Sequence, residues 1–348
     1  MQARIEAIEY FLPACVLNNV QLAEHFTDWT AEKIENKTGI RERHIAAAGE
    51  CSSDLGVAAA QKLFESGRVK REDVDYLLFC TQSPDYFLPT TACLVQHRLG
   101  IPTTAGALDF NLGCSGFVYG LSLAKGLIET GQARNVLLIT AETYSKFIHP
   151  GDKSVRTLFG DAAAATLIQG IEADSQVPNE GIGPFVFGTD GRGANNLIVP
   201  AGGCRRAPVP NAADVPDEQG NVRTVNHLFM NGAEIFNFTL QAVPQSVQKL
   251  LAQAGKRMED IDLYVFHQAN GFILEHLRKK LRIPSERFLA TMRDCGNTVS
   301  STIPIALKMA EESGQLITGH RVMIVGFGVG YSWAASLLRW TGRALPSE

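Results

Sequence analysis

The chain has 348 residues, 45% hydrophobic and 20% charged, with a formal net charge of −4. This is globular composition with length enough for one large core or two domains, and it excludes a disordered chain. The mild acidity gives no global attraction to nucleic acid or to an anionic membrane, so an acidic partner must be met by a local basic patch.

Residues 3 to 10 alternate weakly and stop at Leu12-Pro13, which predicts a first strand. Glu6 and Glu9 inside it do not suit a secretory signal. A charged helical region is expected from Asn18 to Thr38, followed by Gly39-Ile40-Arg41-Glu42-Arg43-His44. Asp54 to Ser66 reads as an amphipathic helix capped by Ser52, Ser53 or Asp54. Val74 to Cys80 is a buried strand. The next apolar segment (Ala107, Leu108, Phe110) stops at Asn111-Leu112-Gly113, and a helix begins at or just after Cys114. Gly113, Gly116 and Gly120 keep one side of it small while Phe117, Leu121, Leu127 and Ile128 are apolar, so it is expected to be buried on most of its circumference.

NVLLITAE from Asn135 is another buried strand, and GDAAAATLIQG from Gly160 is small and tightly packed. Pro178 to Asn226 joins two halves and is rich in turn formers; its second part has little periodicity and reads as a long loop, with Arg205 and Arg206 solvated. The uncharged run from Val322 is broken by Gly326, Gly328 and Gly330 into strand, turn and second segment, which argues against a membrane span. Apolar runs alternating with helices predict an α/β layer architecture. The seven cysteines (15, 51, 80, 93, 114, 204, 295) are odd in number, scattered and free of any C-x-x-C pair, so neither a disulfide framework nor a metal site is expected, and a reducing cytoplasm fits.

The second half repeats the grammar of the first. Val74–Cys80 resembles Ile261–His267 at an offset of 187 residues, and NVLLITAE resembles RVMIVGFG at 186, counted from Val136 to Val322. Cys114 and Asn297 lie 183 apart between them. Three resemblances in one order at nearly one offset predict two halves of the same topology. Cys114, His267 and Asn297 then fall at the ends of central strands, where open α/β sheets place their ligands. Each alone has an ordinary explanation as a core Cys, a satisfied core His or a turn Asn; together they predict a nucleophilic site. Helix N–H groups favour a thiolate at Cys114 by less than about 1.5 pKa units, while burial opposes it, so an imidazole has to help.

The segments DFNLGCSGF, HQAN, GNTVSSTIPIAL, GFGVGYSWAASLLRW and KTGIRERHIA resemble β-ketoacyl-[acyl-carrier-protein] synthase III, of the thiolase-like condensing enzymes, and the resemblance spans almost the whole chain. It implies a five-layered αβαβα fold made of two βαβαβαββ-type halves, here residues 1–177 with the nucleophile and 178–348 with the His and Asn. It also implies decarboxylative condensation of an acyl thioester with a malonyl-[acyl-carrier-protein] through acyl-Cys114, in fatty acid or related acyl-chain initiation. His267 and Asn297 would hydrogen-bond the malonyl thioester carbonyl, and the N–H groups of Cys114 and Val329 would hold the oxyanion. Phe327 would line the site, and Leu88 would close the acyl pocket of a partner subunit. Lys33, Lys37 and Lys153 match a Trp and two Arg associated with coenzyme A in bacterial housekeeping members, so the nucleotide would be bound differently or not at all. Phe272 replaces a carrier-docking Arg, and Arg278, Lys279, Lys280 and Arg282 remain as a basic helix end that would meet acyl carrier protein. No permanent cofactor or metal is implied; acyl-CoA or acyl-carrier thioester and malonyl-carrier thioester are the substrates, and a cytoplasmic homodimer without membrane insertion or nucleic acid is expected.

Two other readings compete, besides a non-catalytic scaffold of the same fold, which predicts a damaged triad where Cys114, His267 and Asn297 are all present. One is a specialised synthase or acyltransferase of a secondary pathway on the same fold with a non-acetyl donor. The other is a dinucleotide-binding oxidoreductase suggested by Gly326, Gly328 and Gly330, whose spacing is wrong for G-x-G-x-x-G.

Overall fold

The computed structural model describes residues 1–172 and 181–341. Strands β1 (Gln2–Phe11), β2 (Tyr76–Cys80), β3 (Gly106–Phe110), β4 (Asn135–Glu142) and β5 (Ala162–Ile171) form one sheet in the order β1-β5-β4-β2-β3. Strands β6 (Ile182–Thr189), β7 (Leu263–Phe266), β8 (Arg321–Gly328) and β9 (Ser332–Arg339) form a second in the order β6-β9-β8-β7. From the first strand of each, the pairings run antiparallel, antiparallel, parallel in both sheets. Their registers also correspond: Tyr76 pairs with Val136, and Leu263 pairs with Val322, the positions 187 and 186 residues further on. An isolated parallel bridge from Tyr264 to Phe288 stands where β3 stands in the first sheet. The expected duplication is therefore present at the level of hydrogen-bond register.

Helices α1 (Ser52–Glu65) and α2 (Thr91–Leu99) cover the outer face of the first sheet, and α4 (Gly232–Ala254) with α5 (Gly271–Leu281) covers the outer face of the second. Between the sheets lie α3 (Gly116–Glu129) and α6 (Thr302–Glu312), each touching strands of both. Burial from two sides explains the composition of α3. The Cβ that Gly120 lacks would stand 2.6 Å from Leu138 Cδ1, so the helix lies against β4 at a distance only Gly permits. All eight residues of β4 are buried, as an inner strand covered on both faces requires.

Several boundaries differ from expectation. The charged region from Asn18 to Thr38 is two helices, Asn19–His25 and Ala31–Thr38, broken where Phe26 folds against Leu22 and Ile34. Helix α1 begins at Ser52 with Cys51 as its N-cap, and Asp54 accepts the Cys51 N–H at 2.7 Å rather than capping from outside. The joining region contains β6, whose Gly183, Pro184 and Gly188 read as turn formers. β6 is an edge strand, where a proline is tolerated because one row of N–H groups has no ladder partner. The loop after it is tied down by a short pairing of Val215–Pro216 with Val222–Arg223, and Arg223 bridges Asp152 and Asp217 at 2.8 and 2.7 Å. Arg205 and Arg206 are exposed. The boundary expected between residues 177 and 178 lies outside the described residues. No helix among the described residues is long and apolar enough to cross a membrane.

Candidate active site

The loop after β3 delivers Cys114 two residues before α3, and only 6% of its surface is exposed. Gly116 N donates to Gly113 O at 2.7 Å, and Ser115 Oγ lies 2.8 Å from Ser332 Oγ, which pins this turn to the start of β9. The end of β8 packs directly on the nucleophile: a Cβ at Gly328 would stand 2.7 Å from both Cβ and Sγ of Cys114, and one at Gly326 would stand 2.8 Å from its carbonyl oxygen. These glycines admit the Cys114 turn. They do not form a dinucleotide loop, and the oxidoreductase reading falls with that.

His267 follows β7, held by its N–H to Val325 O at 2.8 Å and by Nδ1 against Thr302 Oγ1 at 2.7 Å. Phe327 meets its ring edge to face, with centroids 5.4 Å apart. Asn297 is pinned by the first half: its N–H donates to Leu158 O at 2.9 Å and its C=O accepts from Gly160 N at 3.0 Å. Its side-chain Oδ1 accepts from Val299 N at 2.9 Å and Nδ2 donates to Ala269 O at 3.2 Å, so the second Nδ2 hydrogen remains for a ligand. Cys114, His267, Asn297 and Phe327 line one pocket together with apolar residues including Phe159, Leu197 and Ile273.

Burial dominates the electrostatics. It pushes the Cys114 thiol up to about 12, with nearby Glu142 adding to the effect, while the backbone N–H groups of Cys114 and Val329 favour the thiolate without prevailing. Burial likewise pushes His267 down to about 3. The resting pair is a neutral thiol and a neutral imidazole, and the helix start alone does not ionise Cys114.

The other expected residues are placed as follows. Val329 directs its N–H at Cys114. Lys33, Lys37 and Lys153 come together around Asp28 and Trp29: Lys33 and Lys37 stand 5.6 and 4.7 Å from the Trp29 ring centroid, and Lys153 pairs with Asp28 at 2.6 Å. Leu88 is 86% exposed, in a run with exposed Tyr86 and Phe87, and does not line the cavity of its own chain. Arg278 is engaged by Glu275 at 2.7 Å and by Ile283 O at 3.0 Å, Lys279 shares Glu275 at 3.2 Å, and Lys280 is exposed. Glu142 near Cys114, Thr302 against His267 and Trp29 beside Lys33 and Lys37 are neighbours that the sequence did not single out. An acid closing an otherwise apolar buried strand was the available signal for Glu142.

Two sheets enclosing a helical layer have the architecture of the thiolase-like condensing enzymes; of the three residues expected at the ends of central strands only His267 directly follows one, while Cys114 follows the edge strand β3 and Asn297 sits in a turn held by Leu158 and Gly160. Residues 108–191 match the family model for 3-oxoacyl-[acyl-carrier-protein] synthase III, and residues 251–340 match the model for its C-terminal part. The chain is 37% identical to β-ketoacyl-[acyl-carrier-protein] synthase III of Caldanaerobacter subterraneus subsp. tengcongensis, over 95% of this chain and 96% of that one. It is 38% identical to β-ketoacyl-[acyl-carrier-protein] synthase III 2 of Halalkalibacterium halodurans, over 100% and 98%. A crystal structure of a 3-oxoacyl-(acyl-carrier-protein) synthase III superimposes with a TM-score of 0.95 at 57% identity, covering 98% of this chain and 100% of that one. The chain belongs to the β-ketoacyl-[acyl-carrier-protein] synthase III family and is an acyltransferase.

Proposed function

We propose that the chain condenses an acyl thioester with malonyl-[acyl-carrier-protein] and that Cys114, His267 and Asn297 carry the reaction. The observation that supports this most is the convergence on one largely apolar cavity of Cys114 with His267 and Asn297, which lie more than 150 residues further along the chain. Sγ of Cys114 attacks the donor carbonyl, the oxyanion is held by the N–H groups of Cys114 and Val329, and the donor thiolate leaves with the thiol proton. Malonyl thioester then takes the place of the donor. Loss of carbon dioxide leaves an enolate whose oxygen accepts from Asn297 Nδ2 and His267 Nε2. Its carbon attacks acyl-Cys114, and the C–S bond breaks to regenerate Cys114 and release a β-ketoacyl thioester. A neutral His267 suits this role, since an imidazole donates a hydrogen bond without carrying charge.

Leu88 belongs to the acyl pocket of a second subunit in this proposal, which its exposure supports. Trp29 with Lys33, Lys37 and Lys153 forms the face for a coenzyme A donor, offering an aromatic ring and cations at the position where the family Trp is missing. Lys280 and Arg282, both exposed, are the members of the basic helix end most available to acyl carrier protein, because Arg278 and Lys279 are shared with Glu275. Intact-mass spectrometry with a series of acyl-CoA and acyl-carrier donors tests the reaction. One acyl adduct is expected on the wild type, lost in Cys114→Ala and converted to extended product on adding malonyl-carrier. Normal turnover by Cys114→Ala would overturn the mechanism.

A further inference from the structure

β4 ends on a carboxylic acid, Glu142, that is fully buried. Its hydrogen-bond partners are neutral: Gln82 N at 3.0 Å and Ser83 Oγ at 3.2 Å approach Oε2, and Ser300 Oγ lies 2.8 Å from Oε1. The titratable groups that interact with it are Cys80, Cys114, Tyr144 and Asp161, all of which become anions and none of which supplies a counter-charge. Ser300 belongs to the turn that carries the other half of the site. That turn contains Val299 at φ 55, a left-handed conformation costly for a β-branched residue, which persists only where its surroundings hold it. Three consecutive hydroxyls do the holding. Ser300 meets Glu142, Ser301 donates to Thr140 O at 3.0 Å, and Thr302 meets His267 Nδ1 at 2.7 Å. Val299 N, held in this way, donates to Asn297 Oδ1 and fixes the amide.

We propose that Glu142 is a positioning residue of the condensing site, clamping the Asn297–Thr302 turn of the second half to the strand end and loop behind Cys114 in the first. The inference rests on the roles given above to Cys114, His267 and Asn297. A carboxylate buried without a cation is strongly disfavoured, and burial raises this group to about 8, so it works as the neutral acid at pH 7. In that form the Gln82 and Ser83 donors occupy Oε2, and the Oε1 proton is donated to Ser300 Oγ. A glutamine reproduces the pattern, with its oxygen toward Gln82 N and its amide hydrogen toward Ser300.

The test compares Glu142→Gln and Glu142→Ala with the wild type in three measurements: acyl loading, malonyl decarboxylation, and the rate of Cys114 alkylation by iodoacetamide against pH. Glu142→Ala is expected to slow decarboxylation about tenfold or more, with loading less affected, because it strands the buried Gln82 N–H and Ser83 hydroxyl and leaves Ser300 Oγ without its partner. Glu142→Gln is expected to keep the wild-type rate at pH 7. It should also alkylate faster than the wild type above pH about 8, where the ionised carboxylate no longer opposes the thiolate. Full decarboxylation activity in Glu142→Ala would overturn the proposal, as would a Glu142→Gln variant as slow as Glu142→Ala with an unchanged alkylation profile. Alkylation needs no turnover, so a wild type that neither loads nor condenses would refute the reaction while this arm still reports on Glu142.

Discussion

The hydroxyl of Thr302 selects which nitrogen of His267 carries hydrogen. It has one proton and two acceptors, His267 Nδ1 at 2.7 Å and Val299 O at 3.1 Å. When it donates to Nδ1, Nε2 bears the hydrogen and donates into the cavity; turned to Val299, it accepts from Nδ1–H and leaves Nε2 an acceptor. The shorter contact favours the first arrangement, and the depressed imidazole basicity means that no second proton restores the donor at neutral pH. Thr302→Val is therefore expected to slow malonyl decarboxylation about tenfold, the value of one buried hydrogen bond of ~1.4 kcal/mol, while acyl loading of Cys114 persists. Parallel loading and decarboxylation assays check this, and an equal loss in both would point to a general defect of the site.

The strand ends of β4 and β8 are set by what the helices need beside them. Gly328→Ala brings a Cβ to 2.7 Å from Cys114 Sγ, against a sulfur held by its own turn, and is expected to cost about 1–3 kcal/mol of stability together with acyl loading. Gly126→Ala, on the exposed side of α3 with nothing within 4 Å of the new Cβ, is expected to raise the melting temperature through helix propensity. Thermal denaturation of both variants separates the two kinds of glycine. The same elements show what a linear chain displays and what it conceals. β2, β4, β7 and β8 are apolar and repeated, so they were legible, and with them His267 directly after β7; Cys114 after β3 and Asn297 in its turn were legible from their place in the same repeat. β6 was not, because an edge strand accepts the glycines and proline that elsewhere punctuate turns. Glu142 was not, because its significance is the absence of a cation from a three-dimensional neighbourhood. Trp29 was overlooked because the aromatic was sought at Lys33, one helical turn further along.

As a whole molecule the chain presents Tyr86, Phe87 and Leu88 to solvent at 61%, 78% and 86% exposure, a contiguous apolar run that a second subunit would cover. Sedimentation is expected to give twice the 37.8 kDa chain mass, and Leu88→Phe to narrow the range of acyl donors that load without altering that mass. A monomer with full activity would contradict the shared pocket. The duplicated architecture has a further outcome during synthesis. Val329 N–H, which reaches the Cys114 sulfur, lies more than 200 residues downstream of it, and Thr341 Oγ1 donates to Ile5 O at 3.0 Å, joining the two ends of the described chain. A nascent chain emerging from the ribosome thus carries its thiol long before it carries the groups that make the thiol useful. The contact between Val329 N–H and the Cys114 sulfur therefore forms only once the chain has been made almost to its last strand.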